Sequence, residues 1–142
     1  MNIVVDASAA MAAVLRSQST GSALQFLARH RAETLVAPYI FYWEAVNVLV
    51  RLRRRGLLSA RGHARAVEDI AELDIEVFDA PPVDEVLALG DQAMNMGLRP
   101  FDAAYLALAV QLDCPLASRD SALLAVAGRH VRCFDLQGDH LT

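Results

Sequence analysis

The chain contains no lysine: all 13 of its basic residues are arginine. That absence excludes several mechanisms at once. A phosphate-cradling P-loop ends in lysine and is missing here. A phosphorylated receiver domain gathers acids at a parallel sheet but also needs a lysine beside them. Haloacid-dehalogenase-type phosphatases fail likewise, and their Asp-x-Asp nucleophile is replaced by Asp6-Ala7-Ser8. Cysteine is scarce as well. Cys114 and Cys133 are the only two and show no CxxC pairing, which favours buried thiols in a reducing cytoplasm over a metal or disulfide framework. His30, His63, His130 and His140 form no metal pair and precede no nucleophile motif. No apolar run approaches the ~20 residues of a membrane span, so no membrane partner is expected. The N-terminus enters a strand directly, without a basic leader, which predicts no signal peptide and a cytoplasmic protein.

What is present suits one folded domain. The chain has 142 residues, 55% of them hydrophobic, enough to bury a sizeable core and too many for disorder. No internal repeat, linker or low-complexity tract divides it, so residues 1–142 read as a single domain. Its net charge of -4 conceals an asymmetry. Six arginines and no acid lie between Arg51 and Arg65, leaving seven arginines against seventeen acids elsewhere.

Ile3-Val4-Val5 is an unbroken apolar run, the pattern of a strand covered on both faces, and it stops at Asp6. Further strands are predicted at Thr34–Ala37, Ile75–Phe78, Leu116–Ser118 and Val131–Phe134. The third alternates and is expected at a sheet edge. Helices are predicted over Ser8–Arg16, Ser22–Arg31, Tyr39–Arg55, Ala60–Leu73, Val83–Met96, Phe101–Leu112 and Ser121–Val126. Ser59 caps the fourth of these, and Gly56 and Gly97 stop the third and fifth. Strands alternating with helices imply right-handed crossovers and a parallel sheet, an α/β fold. Ligand chemistry in such sheets collects at the carboxyl ends of the strands.

Four carboxylates sit in apolar company: Asp6 after Val5, Glu44 after Trp43, Asp102 after Phe101, and Asp120 just past Leu116-Ala117-Ser118. Carboxylates pressed against a core cost several kcal/mol unless paired, and few cations flank these positions. A divalent cation would compensate their mutual repulsion, and hard oxygen donors suit Mg²⁺ or Mn²⁺. Each acid also has a plain structural reading. Asp6 and Asp120 can cap helices, Asp102 suits the positive end of a helix after Pro100, and Glu44 can lie on a solvent stripe. These readings are compatible with metal binding. Ser8 and Ser118 are further oxygen donors at the same mouth, or further caps. Asn47, three residues after Glu44, can orient it or hold a metal-bound water, or be an ordinary surface residue.

Val4-Val5-Asp6-Ala7-Ser8, Glu44-Ala45-Val46-Asn47-Val48-Leu49, Asp102-Ala103-Ala104-Tyr105-Leu106-Ala107-Leu108-Ala109 and Ser118-Arg119-Asp120-Ser121-Ala122-Leu123 together resemble the PIN-domain nucleases. Within them the chain is similar to the VapC toxins of bacterial toxin–antitoxin pairs, from Met1 to about Phe134. The family often has Thr where this chain has Ser118, which keeps the hydroxyl. The resemblance implies a three-layer α/β/α fold around a central parallel sheet of four to five strands. It implies an Mg²⁺- or Mn²⁺-dependent ribonuclease, usually dimeric and inhibited by a cognate antitoxin, with Asp6, Glu44, Asp102 and Asp120 as catalytic acids. Asp6 and Asp102 then become the principal metal ligands. Glu44 and Asp120 serve a second metal, metal-bound waters or proton transfer. Arg51, Arg53, Arg54 and Arg55 would attract the RNA backbone, unless they are a solvated helix end. A catalytically silent RNA- or protein-binding module of the same fold is the alternative.

The predicted helix Tyr39–Arg55 carries apolar side chains in nearly every direction around its axis. More of them are present than one sheet-facing side can bury. That surplus predicts a homodimer and a nearby groove for an antitoxin segment.

Overall fold

The computed structural model describes residues 1–138. Five strands form one sheet: β1 (Asn2–Val5), β2 (Thr34–Ala37), β3 (Glu76–Val77), β4 (Leu116–Ser118) and β5 (Cys133–Asp135). Seven α-helices join them: α1 (Ala7–Val14), α2 (Gly21–Arg29), α3 (Phe41–Arg54), α4 (Ala60–Glu72), α5 (Val83–Met96), α6 (Pro100–Leu112) and α7 (Ser121–Ala127). The sheet order is β3-β2-β1-β4-β5, and every pairing is parallel. This is the expected α/β architecture, with five strands and β3 at an edge.

β1 lies in the middle because nothing in its Ile3-Val4-Val5 run wants water. Ile3 and Val4 are fully buried, and Val4 is in register with Val36 on one side and Leu116 on the other. The chain moves outward from β1 through β2 to β3, then crosses back to β4 and continues to β5. Right-handed crossovers in opposite directions put their helices on opposite faces. Accordingly α1 contacts α2, α3 and α4, whereas α5 packs on α6 and α6 lies against β1 and β4. The result is three layers. The reversal of strand order falls between β1 and β4, and a crevice opens outside the carboxyl ends of strands at such a point. Both strands end at residues of the predicted site.

Several boundaries moved, each for a local reason. α1 begins at Ala7, and Asp6 is its cap. It ends at Val14 because Leu15 turns extended and buries its side chain, and a short 3₁₀ turn, Arg16–Gln18, follows. The long helix starts at Phe41, two residues later than expected, because Pro38, Tyr39 and Ile40 are spent in a turn whose Pro38 carbonyl accepts from the Phe41 amide. β5 sits two residues later than its apolar pattern suggested. Gly97 adopts φ 68 at the end of α5, a left-handed conformation that favours glycine. Among the described residues no helix is long and apolar enough to cross a membrane. His140 lies outside them.

Candidate active site

Asp6 follows the last residue of β1, where the chain must turn off the sheet into α1. Its Oδ1 accepts from the Ala9 amide at 2.8 Å and from the Ser8 hydroxyl at 2.7 Å. Its Oδ2 accepts from the Ser118 hydroxyl at the end of β4. Ser118 in turn accepts from the Asp120 amide at 2.9 Å, and Ser8 accepts from the Arg119 amide at 3.0 Å. The two serines therefore tie the β1–α1 corner to the β4–α7 corner. Both readings of Asp6 hold: it caps a helix, and it stands buried at the crevice with only 4% of its surface exposed. Burial pushes its carboxyl up to about 6, against the pull of the Ser118, Ser8 and Ala9 hydrogen bonds, and the neighbouring Asp102 charge pushes the same way.

Asp102 enters from the first turn of α6 and is also buried. Its partner is Arg99, the residue that precedes Pro100 at the head of that helix. The guanidinium grips both carboxylate oxygens, Nε to Oδ2 at 2.9 Å and Nη2 to Oδ1 at 3.1 Å. The same Nη2 reaches Asp120 Oδ2 at 3.5 Å. Asp120 caps α7, its Oδ1 accepting from the Ala122 and Leu123 amides at 2.9 and 3.2 Å. The expectation that few cations flank these acids is therefore corrected for Asp102 and Asp120. Arg99 lies one helical turn before Asp102, and a residue ahead of a helix-starting proline is the signal that could have revealed it.

Glu44 comes from the first turn of α3. Burial raises its carboxyl above the usual range, and the Asp102 charge adds to that. The Tyr105 phenol and the Arg99 guanidinium act in the opposite direction. Tyr105, one turn beyond Asp102 on α6, is fully buried, and burial with the Glu44 and Asp6 charges holds its hydroxyl far above its ordinary value. Glu44 Oε1 and the Tyr105 hydroxyl oxygen are both sealed from solvent with no well-formed hydrogen bond, the phenol lying close enough to Glu44 to act on its charge. Tyr105 is a core residue that also borders the site. Asn47 is exposed and makes no side-chain hydrogen bond to Glu44 among the described residues, so it does not orient that acid.

All four acids thus act on one region, each delivered by a different element. Among the described residues no three His, Cys, Asp or Glu side chains are arranged to hold one ion as they stand. Ser8, Ser118 and the Ala9 amide engage Asp6, and Arg99 engages both oxygens of Asp102. The donor set still fits a hard divalent cation. It consists of carboxylate oxygens, it has one guanidinium against four carboxylates, and one buried oxygen, Glu44 Oε1, lacks a well-formed hydrogen bond.

The arginine block is exposed in the last turns of α3. Arg51 and Arg55 stand about two and three turns beyond Glu44 on the same helix face. Arg53 faces away, with its Nη1 3.3 Å from His63 Nδ1 on α4.

Comparison with known proteins places this geometry. A PIN-domain profile matches residues 3–129. A protein named VapC ribonuclease from Mycobacterium bovis is 35% identical over 121 residues, 85% of this chain and 87% of that one. The crystal structure of PAE2754 from Pyrobaculum aerophilum is similar with a TM-score of 0.69 at 26% identity, covering 94% of this chain and 84% of that chain. VapBC2 from Rickettsia felis, bound to a DNA fragment from their promoter, gives 0.64 at 11% identity, covering 95% and 98%. At that identity the likeness is one of fold.

The raised carboxyl of Asp6 has a measurable consequence. A carboxyl that holds its proton more tightly in the folded chain than in the unfolded one stabilises the fold at low pH. That contribution is complete below 3.8, the ordinary value, and is lost as pH rises through about 6. Its full size is about 3 kcal/mol. In chelator, the unfolding free energy of the wild type should fall by that order relative to Asp6→Asn between pH 4 and 7. Parallel pH profiles for the two proteins would contradict the assignment.

Proposed function

This chain belongs to the PIN-domain family, and on that premise we propose that it is an Mg²⁺- or Mn²⁺-dependent endoribonuclease, the toxin of a type II toxin–antitoxin pair. The observation that carries the reading is the convergence of four carboxylates at the β1–β4 crevice with a buried, unpartnered oxygen of Glu44 among them. The name of the Mycobacterium bovis relative supports the substrate class.

Asp6 and Asp102, the two most buried acids, would hold the cation. A divalent ion there supplies activation of a water for attack on the phosphodiester and charge to stabilise the leaving oxygen. The protein's own part is orientation and proton transfer. Ser8, Ser118 and the Ala9 amide fix the plane of Asp6. Glu44, its carboxyl raised by burial, is the acid placed to take the proton. Asp120 completes the negative wall, for a second ion, its waters or proton transfer. Arg51 and Arg55, with Arg53 and Arg54 behind them, draw the RNA backbone along α3 toward Glu44.

The reading extends to partners. Tyr42, Trp43 and Val46 form an exposed apolar surface on α3, with Trp43 79% exposed. A surface of this kind supports a homodimer and a groove for a cognate antitoxin in the cytoplasm.

Four measurements test this. RNA cleavage should require Mg²⁺ or Mn²⁺ and fall by about 10²- to 10⁴-fold in Glu44→Gln, while Mn²⁺ should raise the melting temperature of the wild type but scarcely that of Asp102→Asn. Metal-independent cleavage, or full activity in Glu44→Gln, would defeat the proposal, and metal binding without cleavage would favour the silent binding module. Replacing Arg51 and Arg55 with Ala should weaken RNA binding and shrink the salt slope by about 1 to 2, more than Arg53→Ala does. Equal slopes in all variants would return the block to a solvated helix end. Light scattering should find a dimer at tens of micromolar and a monomer for Trp43→Glu, and a monomeric wild type would sink the dimer.

A further inference from the structure

Arg99 is the cation of this site that belongs to the chain itself. Pro100 restrains its backbone to the extended conformation observed, φ -71 and ψ 152, so the side chain leaves from a fixed base at the head of α6. From there it forks onto both oxygens of Asp102 and touches Asp120 with the same Nη2. A planar guanidinium bound in this bidentate way orients a carboxylate as well as neutralising it.

The pairing is asymmetric. The Arg99 side chain is 67% exposed, whereas that of Asp102 is 8% exposed. The acid has little else to bind, so losing the guanidinium is costly to Asp102 unless another cation takes its place, whereas the guanidinium itself returns readily to water. Both Asp102 oxygens that a divalent cation would need are engaged by Arg99, and among the described residues no three acids are arranged for an ion.

We infer that Arg99 is a positioning residue of the carboxylate site: its guanidinium stands in for the divalent cation, holding Asp102 and Asp120 in place, and must be displaced from Asp102 when the cation binds. The inference rests on the metal-dependent reading of the site. The exchange is a competition between two cations for one carboxylate, so removing one competitor strengthens the other. Without either cation, the acids are left to repel one another.

Calorimetric titration of Mn²⁺ into the wild type, Arg99→Gln and Arg99→Lys tests it, with no RNA present. Arg99→Gln should bind Mn²⁺ about tenfold more tightly or better. Arg99→Lys, a point charge that cannot fork, should gain less. In chelator Arg99→Gln should melt below the wild type, and in saturating Mn²⁺ it should show the larger upward shift. A purely structural role for Arg99 would lower both melting temperatures and leave the Mn²⁺ affinity unmoved. If the wild type binds Mn²⁺ and neither variant binds it more tightly, the inference is overturned while the metal reading stands. If none of the three proteins binds Mn²⁺, the metal reading falls and the inference falls with it.

Discussion

Like charges crowded at the edge of an apolar core are the constraint on which this structure turns. Asp6, Glu44, Asp102 and Asp120 arrive from β1, α3, α6 and the β4–α7 corner, and the field of each reaches the next. Asp102 pushes on Asp6 and on Glu44, and Arg99 steadies Glu44, Asp102 and Asp120 in return. Carboxylates so placed are expensive unless something answers their charge. The fold answers in three ways: hydroxyl and amide donors to Asp6, a guanidinium to Asp102 and Asp120, and only the approach of the Tyr105 phenol, without a well-formed hydrogen bond, to Glu44.

Each answer has a structural consequence. The serine bridge from Asp6 to Ser118 couples neighbouring strands β1 and β4 at the one place where sheet order reverses, so the floor of the site is also a joint of the fold. The arginine fork sets the plane of Asp102 from outside the core, where it can be undone. The silence around Glu44 Oε1 is stored demand, and a cation or a proton would meet it. Stability and chemistry therefore pull in different directions at this crevice, as they commonly do where a protein has something to bind.

Much of this was legible in the residues. Apolar runs at Ile3–Val5 and Leu116–Ser118 announced covered strands, and the four acids stood out because their neighbours were apolar. Asp6, Asp102 and Asp120 were expected at helix starts, and they stand there, at one crevice. Elsewhere the reading slipped. Tyr39 and Ile40 were assigned to α3 on apolar pattern, but the turn after Pro38 consumes them. Asn47 shares a helix face with Glu44 by spacing, yet it points to water. Arg53 belongs to a basic run, yet it turns to His63 on another helix.

The sequence by itself determined the class of fold, the order of its elements and the family, and it singled out four acids, because burial on both faces and carboxylates in apolar settings leave a mark on adjacent residues. Only the tertiary structure decided that Ser118 donates to Asp6 from 112 positions away, that Arg99 spans Asp102 and Asp120, and that the Tyr105 phenol comes to Glu44. The physical reason is that periodicity reports whether a residue is covered, whereas the partner that covers it is chosen by strand order and helix packing, which act across the chain rather than along it.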